Sequence, residues 1–253
     1  MRRSLLIAVS AVALLSTAAF APAPQTAPDA SAYAAALAEP GRPEADRARD
    51  EARHTAETLA FAGVAPGQKI ADMAMGGGYF TRVLAAAVGP EGHITAWQPD
   101  EFVAFAASYG TALAAVDALP NVDGVQSPFA SPAFPPDLDL VLTAQNYHDL
   151  HLASFASDTA ARLNAAVFAA LRPGGAYVIV DHQAVAGSDL AVAESLHRID
   201  PETVKREVTA AGFVLEAESD VLLNPDDPLT ASVFAPSIRG RTSQFMLRFR
   251  KPG

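Results

Sequence analysis

Residues 69–82 of the chain read KIADMAMGGGYFTR, and this stretch decides the fold. An apolar lead-in reads as a short strand that ends at Asp72, three glycines follow at 76–78, and a helix begins at Tyr79. Consecutive glycines cost backbone entropy, so a fold keeps them where the chain needs unusual backbone angles or close approach. A strand, a glycine turn and a helix N-terminus together direct backbone N–H groups at a ligand. The stretch therefore indicates a nucleotide-like ligand, and the alternative is a tight turn that binds nothing.

The composition limits the class of protein. The chain has 253 residues, of which 50% are hydrophobic, so it can bury one sizeable core. Its formal net charge of -10 disfavours a nucleic-acid partner, because such proteins usually carry a basic face. It contains no cysteine, which excludes disulfides, thiolate metal sites and cysteine nucleophiles.

The first residues have the pattern of an export signal. Residues 1–3 are positive at two of three positions, residues 5–15 are apolar, and AFA at 19–21 fits a cleavage site. The alternative is an uncleaved membrane anchor, because the uncharged run at 4–28 is long enough to span. We predict a protein exported to the periplasm that is not inserted in the membrane after cleavage. The predicted parts are a signal peptide at 1–23, a flexible segment at 24–42 and one α/β domain at 43–253.

Strand and helix patterns alternate along the rest of the chain. Helices are predicted at 45–61, 79–87, 101–119, 155–171 and 201–211, and strands at 69–72, 93–97, 122–126, 138–143, 176–181, 213–223 and 243–250. Alternation of this kind implies right-handed crossovers and a doubly wound, mostly parallel α/β sheet.

The ordered motifs resemble those of the class I S-adenosylmethionine-dependent methyltransferases. In that family a strand ending in an acid enters a glycine-rich turn, as at 72–78 here. LRPGGAYVIV at 171–180 resembles the approach to the family's fifth strand, and GFVL at 212–215 resembles the start of its closing hairpin. The resemblance implies a Rossmann-like methyltransferase fold, a doubly wound seven-stranded sheet with an antiparallel last strand.

A narrower resemblance links the chain to an uncharacterised group of exported, predicted methyltransferases. The motifs that carry it are NYHDLH at 146–151, DH at 181–182, LHRID at 196–200 and SIRGRT at 237–242.

The resemblance implies that S-adenosyl-L-methionine is the cofactor and that it binds at the glycine turn. Asp72 would hold its ammonium group, directly or through water, and Asn146 would reach the same site from the fourth strand. The family usually has a glycine where this chain has Ala74. The backbone that approaches the methionine part would be that of Gly76, Gly77 and Gly78.

A residue that bonds the cofactor's ribose is expected about 20 residues beyond the glycines. Gln98 stands there, with Asp100 as a substitute and a solvated helix cap as the alternative. An amide can bond ribose hydroxyls but lacks the charge that strengthens the bond. A dinucleotide oxidoreductase, the other reading of such a turn, needs one more glycine at the helix start, which this chain lacks.

His148 is the first candidate for a general base, because imidazole titrates near neutral pH. In the family's strand order the fourth strand lies between the first and the fifth, which brings the polar loops to one rim. Asp149 would orient His148 or bind substrate, and Tyr147 and His182 would line the pocket. Two alternatives stay open: these groups only cap helices and bond loops, or methyl transfer needs in-line positioning and no base.

The same rim holds potential metal ligands in His148, Asp149, Asp181 and His182. No short ligand spacing points to a metal, so none is assigned. From the next helix, His197, Arg198 and Asp200 would reach over the site. Arg198 would either hold an anionic substrate group or pair with an aspartate that fixes the helix start.

The sequence thus predicts an S-adenosylmethionine-dependent methyltransferase that acts on a small molecule. The competing hypothesis is a non-catalytic binding protein on the same scaffold. Ala74, Gln98 and the absence of an acid beside Pro128 motivate it. So does the export signal, because the methyl donor is made in the cytosol.

Overall fold

Seven strands form a single sheet in the computed structural model, which describes residues 29–253. The predicted signal peptide at 1–23 lies outside the described residues. Between residues 29 and 253, no helix combines the length and the apolar character that crossing a membrane requires.

The order of the strands confirms the predicted fold class. The sheet runs β3-β2-β1-β4-β5-β7-β6, with β1 to β5 parallel and β7 antiparallel to both of its neighbours. The strands are β1 (Lys69–Met73), β2 (His93–Pro99), β3 (Val122–Ser127), β4 (Leu138–Ala144), β5 (Leu171–His182), β6 (Val214–Ser219) and β7 (Gln244–Arg250).

Helices cover both faces of the sheet and also precede its first strand. They are α1 (Ala34–Leu37), α2 (Glu44–Arg47), α3 (Thr55–Ala62), α4 (Tyr79–Val88), α5 (Asp100–Phe105), α6 (Ala107–Asp117), α7 (Thr159–Ala170), α8 (Ala191–Leu196) and α9 (Pro201–Ala210). Short 3-10 turns lie at Ala30–Tyr33 and His148–His151.

The inner strands are buried on both faces, because successive side chains point to opposite sides of a strand. Ile70 and Leu142 pack into the layer formed with α3, α4 and α6. Val141 and Tyr177 pack into the opposite layer, formed with α7 and α9. Each such apolar side chain contributes roughly 1.5–3 kcal/mol when fully buried. The core therefore fixes the strands rigidly and leaves polar chemistry to the loops at their ends.

The predicted helix at 45–61 is wrong in its middle, where α2 and α3 are separated by turns. His54 has φ +44°, which no α-helix accommodates. The acids before it turn towards α4: Asp46 accepts a hydrogen bond from Arg82 Nε at 2.7 Å, and Asp50 accepts one from the Tyr79 hydroxyl at 2.6 Å. These contacts with residues far along the chain outweigh the local helical pattern.

The predicted helix at 101–119 is likewise two helices. The chain is extended at Ala106, with φ -150° and ψ 122°, so α5 ends and α6 begins there. The break lets the Phe102 ring pack against both Tyr109 and Phe129, at 5.4 and 5.6 Å between centroids.

Residues 30–42 pack on the domain, so the prediction of a flexible segment at 24–42 is corrected over this range. The buried Tyr33 hydroxyl donates to the carbonyl oxygen of Val64 at 2.7 Å, and the carbonyl oxygen of Leu59 lies 3.2 Å away. The buried Arg42 guanidinium forms two hydrogen bonds to the Asp50 carboxylate, at 2.6 and 2.8 Å. This segment is thereby held beside α4.

Candidate functional site

The carboxyl ends of β1, β4 and β5 lie side by side and form the rim of the site. β1 pairs with β4 as far as Asp72 and Leu142, and β4 pairs with β5 as far as Ala144 and Val180. The glycine turn, the loop at 145–151 and the end of β5 therefore meet, as the sequence predicted. Ligands of doubly wound sheets bind at this edge.

The glycine turn keeps the backbone that its glycines suit. Gly76 and Gly78 have φ +58° and +79°, and Ala74 also has a positive φ, +57°. The left-handed region costs a residue with a Cβ roughly 1–2 kcal/mol. Asn146 supports the turn by donating from Nδ2 to the carbonyl oxygens of Ala74, at 2.9 Å, and Ala144, at 2.8 Å. Ala74 thus holds a left-handed backbone conformation at an energetic cost, at the position where the sequence resemblance led us to expect a glycine.

Gln98 bonds the glycine turn itself, and this corrects its predicted role as ribose ligand. The side chain is fully buried, and its amide meets the peptide groups of Gly76 as both acceptor and donor. Asp100, the predicted substitute, lies partly exposed at the start of α5 and accepts from Gln126 Nε2 at 2.7 Å. Asp100 is therefore the polar group of the β2 end that retains access to solvent.

Asp72 is buried beneath the turn. Its Oδ2 accepts a hydrogen bond from the Thr81 hydroxyl of α4 at 2.6 Å. Burial raises the pKa of Asp72 to about 6, against the hydrogen bond from Thr81 and the nearby positive charge of Arg82. A cationic group arriving at the turn would favour the ionised form and lower that pKa again.

His148 lies between two carboxylates. Asp181, fully buried at the end of β5, accepts from His148 N at 2.7 Å and lies 2.8 Å from His148 Nδ1. Asp149 Oδ1 lies 3.2 Å from His148 Nε2. Burial alone would lower the pKa of His148, but the charges of the two aspartates outweigh it and raise the pKa to about 10. In this arrangement His148 is protonated at neutral pH. A protonated imidazole cannot accept a proton, so this arrangement does not support the predicted role of general base.

His182 has the opposite character. Its Nδ1 lies 2.8 Å from the Thr242 hydroxyl, and burial lowers its pKa to about 4. The two imidazole rings are 5.9 Å apart, so the site holds one neutral and one charged imidazole at neutral pH.

Tyr147 does not line the rim, which corrects another prediction. Its side chain is fully buried, its hydroxyl donates to Glu207 Oε2 at 2.9 Å, and Asn164 Nδ2 donates to that hydroxyl at 2.8 Å. Burial raises its pKa well above the ordinary value. Tyr147 therefore anchors the loop at 145–151 to α7 and α9.

Arg198 is also structural. It is fully buried and pairs with Asp227 through two hydrogen bonds of 2.9 Å each. Its remaining donors reach the carbonyl oxygens of Ala231 and Gln183. Arg198 thus fixes the segment at 224–242, which favours the predicted alternative of an arginine–aspartate pair over a substrate anion, although the partner is Asp227 and the pair does not fix the start of a helix.

Arg53 is a site residue that the sequence analysis missed. Its Nη2 donates to Gln145 Oε1 at 2.8 Å, and its guanidinium lies over the rings of Tyr79 and Phe80, at 4.5 and 5.7 Å from their centroids. Burial lowers its pKa. Within residues 29–253 it has no carboxylate partner. It lines a small open crevice with Phe80, Ala144, Gln145, Val180 and Gln244.

The charge pattern around Arg53 is also typical of a solvated helix. A helix through 45–61 places all its charges on one solvated face. The turn before α3 instead directs the Arg53 side chain inwards, over the first residues of α4. The density of arginines and aspartates at 42–53 was the available signal, because a solvated helix needs no such network.

No protein-family model matches the chain, and no curated protein matches its sequence. Solved structures do match. The complex between the Haloferax volcanii Trm112 methyltransferase activator and the putative methyltransferase contains a chain that is 14% identical, with 83% of this chain and 96% of that chain covered and a TM-score of 0.57. A SAM-dependent methyltransferase from Aquifex aeolicus is 18% identical, with coverages of 77% and 88% and a TM-score of 0.54.

A third match carries a different activity in its name. The (4+2)-cyclase SpnF is 18% identical, with 79% of this chain and 80% of that chain covered and a TM-score of 0.57. Identities this low show a shared fold and leave function to be argued from the site. The fold of the chain is that of the class I S-adenosylmethionine-dependent methyltransferases.

Proposed function

We propose that the chain binds S-adenosyl-L-methionine and transfers its methyl group to a small molecule. The observation that carries the proposal is that Asp72 and Arg53 lie near enough for their charges to influence each other, while no direct ion pair joins them. The amino-acid part of this cofactor has an ammonium group and a carboxylate, and the turn offers one group of opposite charge for each.

The ammonium group would meet oxygen atoms at the β1–β4 junction. Asp72 supplies a carboxylate whose burial is relieved when a cation arrives. Asn146 uses its Nδ2 on two carbonyl groups, and its Oδ1 accepts no hydrogen bond from residues 29–253. That oxygen can accept from the ammonium group.

The carboxylate would meet Arg53. A partly buried guanidinium without a carboxylate partner is costly, and the cost falls when an anion binds. Arginine suits a carboxylate because its fork donates two parallel hydrogen bonds. The ion pair Arg82–Asp46 and the bond from Tyr79 to Asp50 hold the turn that carries Arg53.

The acceptor is proposed to be a small molecule, and the rim that would hold it is rich in acidic and imidazole groups. The net charge of -10 does not favour a polynucleotide. The pattern at 1–23 further leads us to propose export to the periplasm, where the methyl donor would have to be supplied from the cytosol.

Calorimetric titration of the purified chain with S-adenosylhomocysteine tests the proposal. We expect one site per chain, and binding about ten-fold weaker or more in Arg53→Gln. The matched control is Arg162→Gln, because Arg162 is an exposed arginine paired with Asp158 on α7. The proposal fails if the wild-type chain shows no binding at millimolar ligand, or if the two variants bind alike.

The second candidate is a binding protein, or an enzyme of another class, on this scaffold. The bonding of Gln98 to Gly76, which removes it from the ribose, favours it. Mass spectrometry of molecules that co-purify with the chain, followed by incubation with labelled methyl donor, separates the candidates. Transfer of label to a co-purified molecule excludes the second one.

A further inference from the structure

We propose that His148, Asp149 and His197 bind a divalent transition-metal ion at the rim. One ligand atom from each side chain lies within 4.8 Å of the other two. His148 Nε2 and Asp149 Oδ1 are 3.2 Å apart, and His197 Nδ1 and Asp149 Oδ1 are 3.8 Å apart. A tetrahedral ion with bonds of about 2.0–2.2 Å places its ligand atoms about 3.4 Å apart, which the two distances to Asp149 bracket; the two histidine nitrogens lie within 4.8 Å of each other.

The orientation of the His148 ring also suits a metal ligand. Its Nδ1 is held by the fully buried Asp181 at 2.8 Å, which leaves Nε2 directed at Asp149. A carboxylate on the distal nitrogen is the usual support of a metal-binding imidazole, because it fixes the tautomer and raises the basicity of the ligand. Asp181 is itself held, since it accepts from the backbone N–H groups of His148 and His182.

The position of His197 is the third argument. Its backbone has φ +54° at the end of α8, in the left-handed region that residues other than glycine rarely adopt. Its ring lies 5.4 Å from the ring of His148 and 4.8 Å from that of Phe234. The next residue, Arg198, forms two hydrogen bonds to Asp227, and these bonds fix the backbone position of His197.

The charges also favour a cation. Asp149 and Asp181 both face His148, and within residues 29–253 neither forms an ion pair with an arginine or a lysine. A divalent ion would balance the two carboxylates, with both imidazoles neutral. Two imidazoles and one carboxylate are ligands that zinc, iron and cobalt accept, whereas magnesium and calcium prefer oxygen.

Three protein ligands leave one position for the methyl acceptor, and this role rests on the proposed function. An acceptor hydroxyl or thiol that coordinates the ion loses its proton to solvent more readily. Its oxygen or sulfur then attacks the methyl carbon, the carbon–sulfur bond of the donor breaks, and S-adenosylhomocysteine leaves. The cluster thus points to acceptors with an ionisable O–H or S–H group.

The test is titration of the chelator-treated full chain with Co²⁺ alone, followed by visible absorption and calorimetry. We expect one Co²⁺ per chain with the intense absorption of a four-coordinate site, and displacement by Zn²⁺. His197→Gln should bind about ten-fold more weakly or worse, and Asp181→Asn should lose about 10–100-fold if it folds. The control is His93→Gln, since His93 is an exposed histidine paired with Asp123 on the sheet.

Two results would overturn the inference: no saturable Co²⁺ binding by the wild-type chain, or equal binding by His197→Gln and His93→Gln. His197 is partly exposed, so its variant is expected to fold even where Asp181→Asn does not. Titration of the metal-free chain with S-adenosylhomocysteine separates this inference from the proposed function. If the chain binds S-adenosylhomocysteine but not Co²⁺, only the metal site is refuted. If it binds Co²⁺ but not S-adenosylhomocysteine, only the methyltransferase proposal is refuted.

Discussion

The side-chain amide of Gln98 forms two hydrogen bonds with the backbone of Gly76: its Oε1 accepts from Gly76 N at 3.1 Å, and its Nε2 donates to Gly76 O at 3.0 Å. An amide can do both, whereas a carboxylate can only accept. The residue that stands where an acid is expected therefore stabilises the glycine turn from within the core.

Gln98→Glu should destabilise the chain by roughly 1–3 kcal/mol. The variant leaves Gly76 O without a partner and introduces a charge at a fully buried position. Urea unfolding at neutral pH measures the change. The control is Gln126→Glu, at an exposed residue of β3, where a loss below about 1 kcal/mol is expected even beside Asp100. Equal losses in the two variants would show that the paired bonds contribute nothing.

Ala74→Gly should be tolerated better than Ala71→Gly, by roughly 1–2 kcal/mol in the free energy of unfolding. Both alanines are buried, and both variants lose one methyl group and gain the same freedom in the unfolded chain. They differ in the backbone, because Ala74 has φ +57° and Ala71 lies within β1. Parallel urea denaturation of the two variants tests this difference. If Ala74→Gly is as damaging as Ala71→Gly, the turn does not hold Ala74 in a strained conformation.

The fold could be predicted because its signals are local. The apolar strands, the turn at 76–78 and the Asp200 cap of α9 are each written in a few consecutive residues. The site was harder to predict, since its side chains are placed by partners distant in the chain. Arg53 turns inwards because Asp46 and Asp50 bond α4, about 30 residues later.

Protonation of the two rim histidines shows the same limit. His148 and His182 have the same ordinary pKa, and the sequence could assign either as a base. The Asp181 carboxylate bonds a ring nitrogen of His148, whereas a ring nitrogen of His182 bonds the Thr242 hydroxyl. One pKa rises and the other falls, and only the pairing of β4, β5 and β7 decides which.

Asp72→Asn should stabilise the chain more at pH 8 than at pH 4.5. The pKa of Asp72 is raised from 3.8 to about 6, so its contribution to stability is most favourable below pH 3.8, falls as the pH rises from 3.8 to about 6, and stays constant above that. The rise in the pKa of Asp72 from 3.8 to about 6 corresponds to roughly 3 kcal/mol, which is the largest gain expected at pH 8. Urea unfolding of both chains at the two pH values measures it, and a gain independent of pH would contradict the assignment.

The same variant should bind S-adenosylhomocysteine more weakly, because the ammonium group loses its carboxylate. In the wild-type chain, affinity should rise with pH as Asp72 ionises near pH 6, and Asp72→Asn should lose that rise. Calorimetry from pH 5 to pH 7.5 tests this. A variant that is more stable and binds as well as wild type would remove Asp72 from the cofactor site.

Tyr79→Phe should loosen the segment that carries Arg53 while keeping the ring beneath its guanidinium. The Tyr79 hydroxyl donates to Asp50 and also contacts the Thr55 hydroxyl, so the variant removes two contacts at once. A bond to a charged acceptor contributes about 1.5 kcal/mol or more. We expect a loss of that size in urea unfolding, faster hydrogen exchange at 44–54, and weaker S-adenosylhomocysteine binding. In the control, Tyr109→Phe, the ring lies against Phe102 and its hydroxyl bonds no residue within 29–253. If exchange at 44–54 is unchanged while binding falls, Tyr79 itself contacts the cofactor and does not act through Arg53.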